Sequence, residues 1–231
     1  MHPIISFVAE ALVADADPAR AQKMAAYMKT DMPFYGVQSP KQKVVIRLAG
    51  NRFKPQSFDD YERAIDALWS QPHREEKYVA LGLAQRWKTF IEPQALGLYE
   101  RLIREGQWWD LVDPVAAHLV GKVVLDFPDT TWPLIDQWIE DDNLWVRRTA
   151  VICQIRNGAK TDSARLFDYC RRRANETEFF MRKAIGWALR EYAYKDPEAV
   201  YVFIKEQGDA LSGLSRREAS KHLERLMSAG G

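Results

Sequence analysis

Cysteine is scarce in this chain of 231 residues: Cys153 and Cys170 are the only two, and both sit among apolar or helical neighbours. Without a C-x-x-C spacing they read as buried, reduced thiols, not as a disulfide or a metal site. The four histidines (His2, His73, His118, His222) are scattered and make no ligand pair at helical spacing, so neither a metal nor a cofactor is expected. Glycine (12) and proline (11) are modest in number, which argues against long disordered tracts. No stretch of about 18 apolar residues appears, so no membrane span is expected. The opening MHPIISFVAEALVADADP lacks a basic start, and Glu10 interrupts its apolar run. It does not read as a signal peptide, and a cytoplasmic location is expected. Net charge is also slight, formally +1, but it is unevenly spread. Residues 143–190 hold eleven Lys or Arg against four Asp or Glu, a local +7 that leaves −6 for the remainder. Such a region is either one face for a polyanion or a solvated helix surface, and charge alone leaves both open.

What the sequence does have is helical periodicity and eight tryptophans, more than a plain scaffold of this size needs. DYERAIDALW (60–69) places apolar side chains at 61, 64, 65 and 68, one helical stripe. Residues 76–87, 95–104, 114–125, 133–139, 145–155, 179–193 and 215–227 read alike. Breaks fall at Gln71-Pro72, Glu92-Pro93, Glu105-Gly106, Phe127-Pro128, Asn157-Gly158, Asp196-Pro197 and Gln207-Gly208. No segment alternates with period two for long, so the class is all-α. Trp109, Trp145, Phe180 and Ser215 open similar helices at intervals of 36, 35 and 35 residues, and Arg74 opens an earlier copy. That period, with a shorter helix before each, predicts a right-handed α-solenoid of HEAT-like repeats, a single domain over 1–231.

Differences between the copies carry the chemistry. Basic residues recur after the opening position, at Arg147-Arg148, Arg182-Lys183 and Arg217. A positive row at one height along stacked helices suits a phosphate backbone. The copy opened by Trp109 departs from this. Leu111 and Val112 replace the basic pair, and Asp113 follows, on the same helical face as Trp109. Asp113 before Pro114 also fits an ordinary helix start. Phe180, Lys183, Trp187 and Arg190 share one face of the 179–193 helix. That stripe suits either nucleic-acid contact or a core edge. Ser39-Pro40 reads as a helix start with Ser39 as cap, which is a phosphate seat or simply a structural end.

Taken together, MAAYMK, FYGVQSP, WWDLVD, DNLWVRR, EFFMRKAIGWALREYA and LSRREASKH resemble AlkD-type DNA alkylpurine glycosylases, over essentially the whole chain. The resemblance implies a concave groove for duplex DNA, with Trp109, Asp113 and Trp187 forming the cleft around the damaged nucleotide. It implies that Arg148 and Arg190 hold flanking phosphates. Tyr27, Gln38, Phe179, Phe180 and Lys183 are expected to touch the backbone or support the groove. The implied activity is release of cationic N3- and N7-alkylated purines, 3-methyladenine and 7-methylguanine, by a monofunctional glycosylase that need not extrude the base. The expected partner is double-stranded DNA containing alkylated purines, bound by a monomer. Two other classes fit less well. A catalytically silent DNA-structure binder of the same fold has no use for Asp113. A protein adaptor has no use for the basic register.

Overall fold

The local rules that start helices are visible from the first residues of the computed structural model, which describes residues 2–229, the last by its backbone alone. Proline at the first turn lacks an N–H that a helix leaves unpaired anyway. Accordingly α1 (Pro3–Ala14) and α2 (Pro18–Met28) both begin on proline. His2 and Asp17 cap them, each side chain accepting a backbone N–H of the first turn. The chain continues through α3 (Ser39–Arg52), α4 (Phe58–Trp69) and α5 (Arg74–Arg86). Ile4, Val8 and Leu12 recur at intervals of four on α1 and are fully buried. They pack with the apolar face of α4 (Tyr61, Ile65, Leu68) and with Val79 and Leu83 of α5. Each such leucine or isoleucine contributes roughly 1.5–3 kcal/mol by leaving water. These helices form the first of two compact units, and the division falls between Ile91 and Glu92.

The second unit holds α6 (Leu96–Gly106), α7 (Trp109–Pro114), α8 (Gly121–Asp126), α9 (Pro128–Trp138), α10 (Leu144–Ile152), α11 (Ser163–Arg172), α12 (Phe179–Ala193), α13 (Pro197–Gln207), α14 (Gly213–Ala219) and α15 (Leu223–Ala229). Between α7 and α8 the backbone does not break. Val115–Val120 forms a π-helical segment, so residues 109–126 run as one helix with a widened middle. Helix α10 packs on α12, and α12 on α14. No strand occurs among the described residues, as an all-α reading requires. None of the described helices is long and apolar enough to cross a membrane. Both cysteines are buried free thiols, and burial pushes the Cys153 thiol up to about 12.

Four sequence readings need correction. Ser39 is the first helical residue of α3, not its cap; Gln38 holds the cap position and makes no side-chain cap bond. Asp113 does not start a helix, because α7 begins at Trp109 and Pro114 lies inside it. The 215–227 helix is two helices, broken where His222 turns into the left-handed region at φ 71°. The register of the repeat also shifts: the last three copies open one, one and two residues earlier than the sequence reading placed them. Helices α5, α7, α10, α12 and α14 start at Arg74, Trp109, Leu144, Phe179 and Gly213, intervals of 35, 35, 35 and 34 residues. The fifth residues of the last four are then Asp113, Arg148, Lys183 and Arg217. The carboxylate stands where the later copies carry a cation.

Candidate active site

That register has a direct consequence. Two side chains at the same height on neighbouring helices can meet, and Arg148 reaches Asp113 as a fork. Its Nε donates to Oδ1 and its Nη2 to Oδ2, both at 2.8 Å. Nη1 donates to the carbonyl of Phe180 on the next helix at 2.5 Å. Arg148 is thereby buried, with 4% of its surface exposed. Bidentate arginine–carboxylate pairs are the geometrically strictest ion pairs available to proteins. This one fixes the Asp113 carboxyl in position and plane. Each carboxylate oxygen has a further lone pair to offer.

Asp113 lies on an open cleft of about 320 Å³, lined also by Trp109, Asp110, Pro114, Ala117, His118, Ile155, Arg156 and Trp187. The structure thus brings together Trp109, Asp113 and Trp187, although 78 residues separate the first from the last. Trp187 comes from the middle of α12, and its indole N–H donates to Glu191, one turn on, at 3.1 Å. His118 belongs to the π segment. Burial and the positive charge of Arg156 lower its pKa below the ordinary imidazole value. Asp110, His118, Ile155 and Arg156 were not singled out in the sequence. The signal for His118 is weak: it lies four residues past Pro114 on a helix whose turn is widened there. Ile155 and Arg156 follow the end of α10 and reach the cleft only through the fold.

Next to the cleft, aromatic rings tie the starts of three helices together. Trp108 meets Phe180 edge-on with centroids 5.1 Å apart, and Trp145 lies 5.0 Å from Phe180. Phe180 is half-buried in this cluster, whereas Phe179 beside it is 57% exposed. Further along, Gly186 lets α14 approach α12 closely: a Cβ there would lie 2.9 Å from the Ser215 carbonyl oxygen. Into this joint comes Glu218, which accepts from Lys183 and Arg190, each at 2.9 Å, and from Lys221. The two lysines hold its carboxyl down to about 2. Arg147 forks onto Glu176 and also donates to the carbonyls of Asp141 and Asp142. Arg182 donates to the Glu176 carbonyl. Arg217 is exposed and pairs with no carboxylate among the described residues.

In the first unit, Tyr27 on α2 is 74% exposed, and Gln38 is exposed just before α3. The loop leading to Gln38 is held from below. The fully buried Glu75 accepts the backbone N–H groups of Tyr35, Gly36 and Val37 at 2.8–3.0 Å. A buried carboxylate satisfied by three amides secures a loop that lacks regular structure of its own.

A helical scaffold that presents one arginine-held carboxylate in a cleft also lined by two indoles defines the class: an α-helical protein with a carboxylate-bearing, partly aromatic cleft. The family model described as DNA alkylation repair enzyme matches residues 8–223, and the chain belongs to that family. It is similar to a solved structure described as a predicted DNA alkylation repair enzyme from Enterococcus faecalis. The identity is 28% and the TM-score 0.84, covering 90% of this chain and 97% of that one. No curated protein matches it.

Proposed function

We propose that this protein is a DNA glycosylase that hydrolyses the N-glycosidic bond of cationic N3- and N7-alkylated purines, 3-methyladenine and 7-methylguanine, in duplex DNA. The observation that carries this reading is the gathering of Trp109, Asp113 and Trp187 in one open cleft, in a member of a DNA alkylation repair family. Alkylation at N3 or N7 gives the base a positive charge, so it leaves without being protonated first. One carboxylate then suffices where glycosidases ordinarily use two. As the bond breaks, positive charge develops on the deoxyribose. Asp113 stabilises that charge and positions the attacking water, and because Arg148 already holds it, no reorganisation is needed in the transition state. The faces of Trp109 and Trp187 add roughly 0.5–2 kcal/mol each against the cationic sugar. No lysine is among the described residues that line the cleft, which supports hydrolysis over Schiff-base lyase chemistry. An open cleft also favours contact with the sugar over capture of an extruded base. The protein acts as a monomer in the cytoplasm and needs no cofactor.

The test is release of free base from a duplex with a single 7-methylguanine. Wild type should release it, and Asp113→Asn should slow release by about 100-fold or more. A wild-type protein that binds DNA but releases neither 7-methylguanine nor 3-methyladenine would instead be a silent structure binder.

A further inference from the structure

The polar side chains of the cleft differ in whether the protein already uses them. Asp113 takes Arg148 on both oxygens, and the Trp187 indole is committed to Glu191. The side chains of Arg156 and His118 make no hydrogen bond or ion pair with any described residue. Arg156 is exposed, and His118 is half-buried within the π segment. Four other cations of this region are already paired. Arg147 is spent on Glu176, Arg148 on Asp113, and Lys183 and Arg190 on Glu218. Arg156 is also the one Lys or Arg among the described residues lining the cleft.

The electrostatics of the cleft decide what such an edge can hold. Asp110 and Asp113 make its α7 side acidic, and Trp109, Pro114, Ala117, Ile155 and Trp187 contribute mostly apolar surface. An anion entering the cleft therefore has one favourable place, beside Arg156. We infer that Arg156 and His118 form a phosphate-binding edge of the cleft, which seats a backbone phosphate next to the sugar that lies over Asp113. This inference rests on the glycosylase reading. In it Arg156 supplies charge, and His118, kept neutral by burial and by Arg156, supplies a single N–H.

That division of labour can be measured by binding undamaged duplex DNA at about pH 7.5 over roughly 50–200 mM salt. Arg156→Gln should weaken binding about tenfold at the low-salt end and flatten the log–log salt dependence by about 0.9, the loss of one phosphate contact. Arg156→Lys should keep the wild-type slope. His118→Ala should weaken binding about fivefold with the slope unchanged, because a neutral hydrogen bond is lost and no ion pair. Arg156 holds no other residue, so its variants should melt with the wild type. An Arg156→Gln protein with the wild-type slope overturns the inference while leaving the glycosylase reading intact. An unchanged His118→Ala affinity removes His118 from the edge. A wild type with no salt-dependent DNA binding sinks the glycosylase reading itself.

Discussion

At the scale of single residues, the Asp113–Arg148 pair sets the terms for everything in the cleft. The Arg148 side chain is 5% exposed and that of Asp113 14%, so both ions have given up most of their water. Removing one partner of such a pair leaves an uncompensated charge, typically at a cost of about 3–5 kcal/mol. Replacing both by apolar groups of similar size is far milder, because neither charge is then stranded. Arg148→Met should therefore destabilise the protein by about 3 kcal/mol in urea denaturation. The double variant Arg148→Met with Asp113→Leu should recover much of that stability while remaining without base release. A double variant no more stable than Arg148→Met would show that Arg148 serves the fold through some other contact. The sequence placed Arg148 in a row of phosphate-binding cations; the fold gives it a carboxylate 35 residues away, a pairing that no local pattern encodes.

At the scale of elements, the joint of α12 and α14 is the clearest case of chemistry set by packing. Gly186 lets the helices approach, and Glu218 collects Lys183, Arg190 and Lys221 in the space between. Glu218 is held down to about 2 from an ordinary 4.5. A carboxylate depressed in the folded state adds stability that is fully present above its unfolded pKa and is lost as pH falls toward the folded value. Glu218→Gln should thus be less stable than wild type near pH 6, and the gap should narrow steadily as pH falls below about 4.5 toward 3. Paired urea titrations across that range check it; a gap constant with pH would mean that the amide replaces the carboxylate's contacts fully. The same elements show what periodicity can and cannot reveal. The 179–193 helix was legible at both ends, because apolar spacing and the Asp196-Pro197 stop mark it. Helix α11 was expected only as an undelimited shorter helix before the 179–193 copy, since arginines at 165, 171, 172 and 173 mask its narrow apolar face of Leu166, Tyr169 and Cys170. The π segment was invisible for a deeper reason. Its apolar run fits a regular helix equally well, and the widened turn shows only in the backbone. Pro114, which removes one donor just before it, is the single local sign. Asp113 beside Trp109 could be picked out because a repeat makes exceptions conspicuous, and Trp187 because it lies on an aromatic and basic stripe; their meeting in one cleft was implied only by the family resemblance. Arg156 could not, because it joins the cleft only through tertiary placement, and His118 could not, because the widened turn that sets its place on the helix of Trp109 and Asp113 is not written in the sequence.

At the scale of the whole molecule, the question is what becomes of the +7 carried by residues 143–190. Much of it is answered by carboxylates, several of them outside that stretch. Arg148 pairs with Asp113, Arg165 with Asp136 and Asp162, and Arg172 with Glu140 and Asp168. Arg173 pairs with Glu140 and Glu176, and Lys183 and Arg190 with Glu218. A count of charge along the chain therefore overstates the cations ready to meet a polyanion. Arg156, Lys160, Arg171 and Arg182 are the members of the stretch with no carboxylate partner among the described residues. Each phosphate neutralised contributes about −0.9 to the slope of log affinity against log salt, so eleven engaged cations would give a slope near −10. The ion pairs predict a much shallower dependence, about −4 from this stretch if its four unpaired cations all engage. Affinity for undamaged duplex measured across salt concentrations decides between these values. A slope near −10 would require the internal pairs to open and exchange their carboxylates for phosphates, Arg148 leaving Asp113 among them. The carboxylate would then be freed only when DNA arrives, and the resting cleft would be a closed switch instead of a preorganised site.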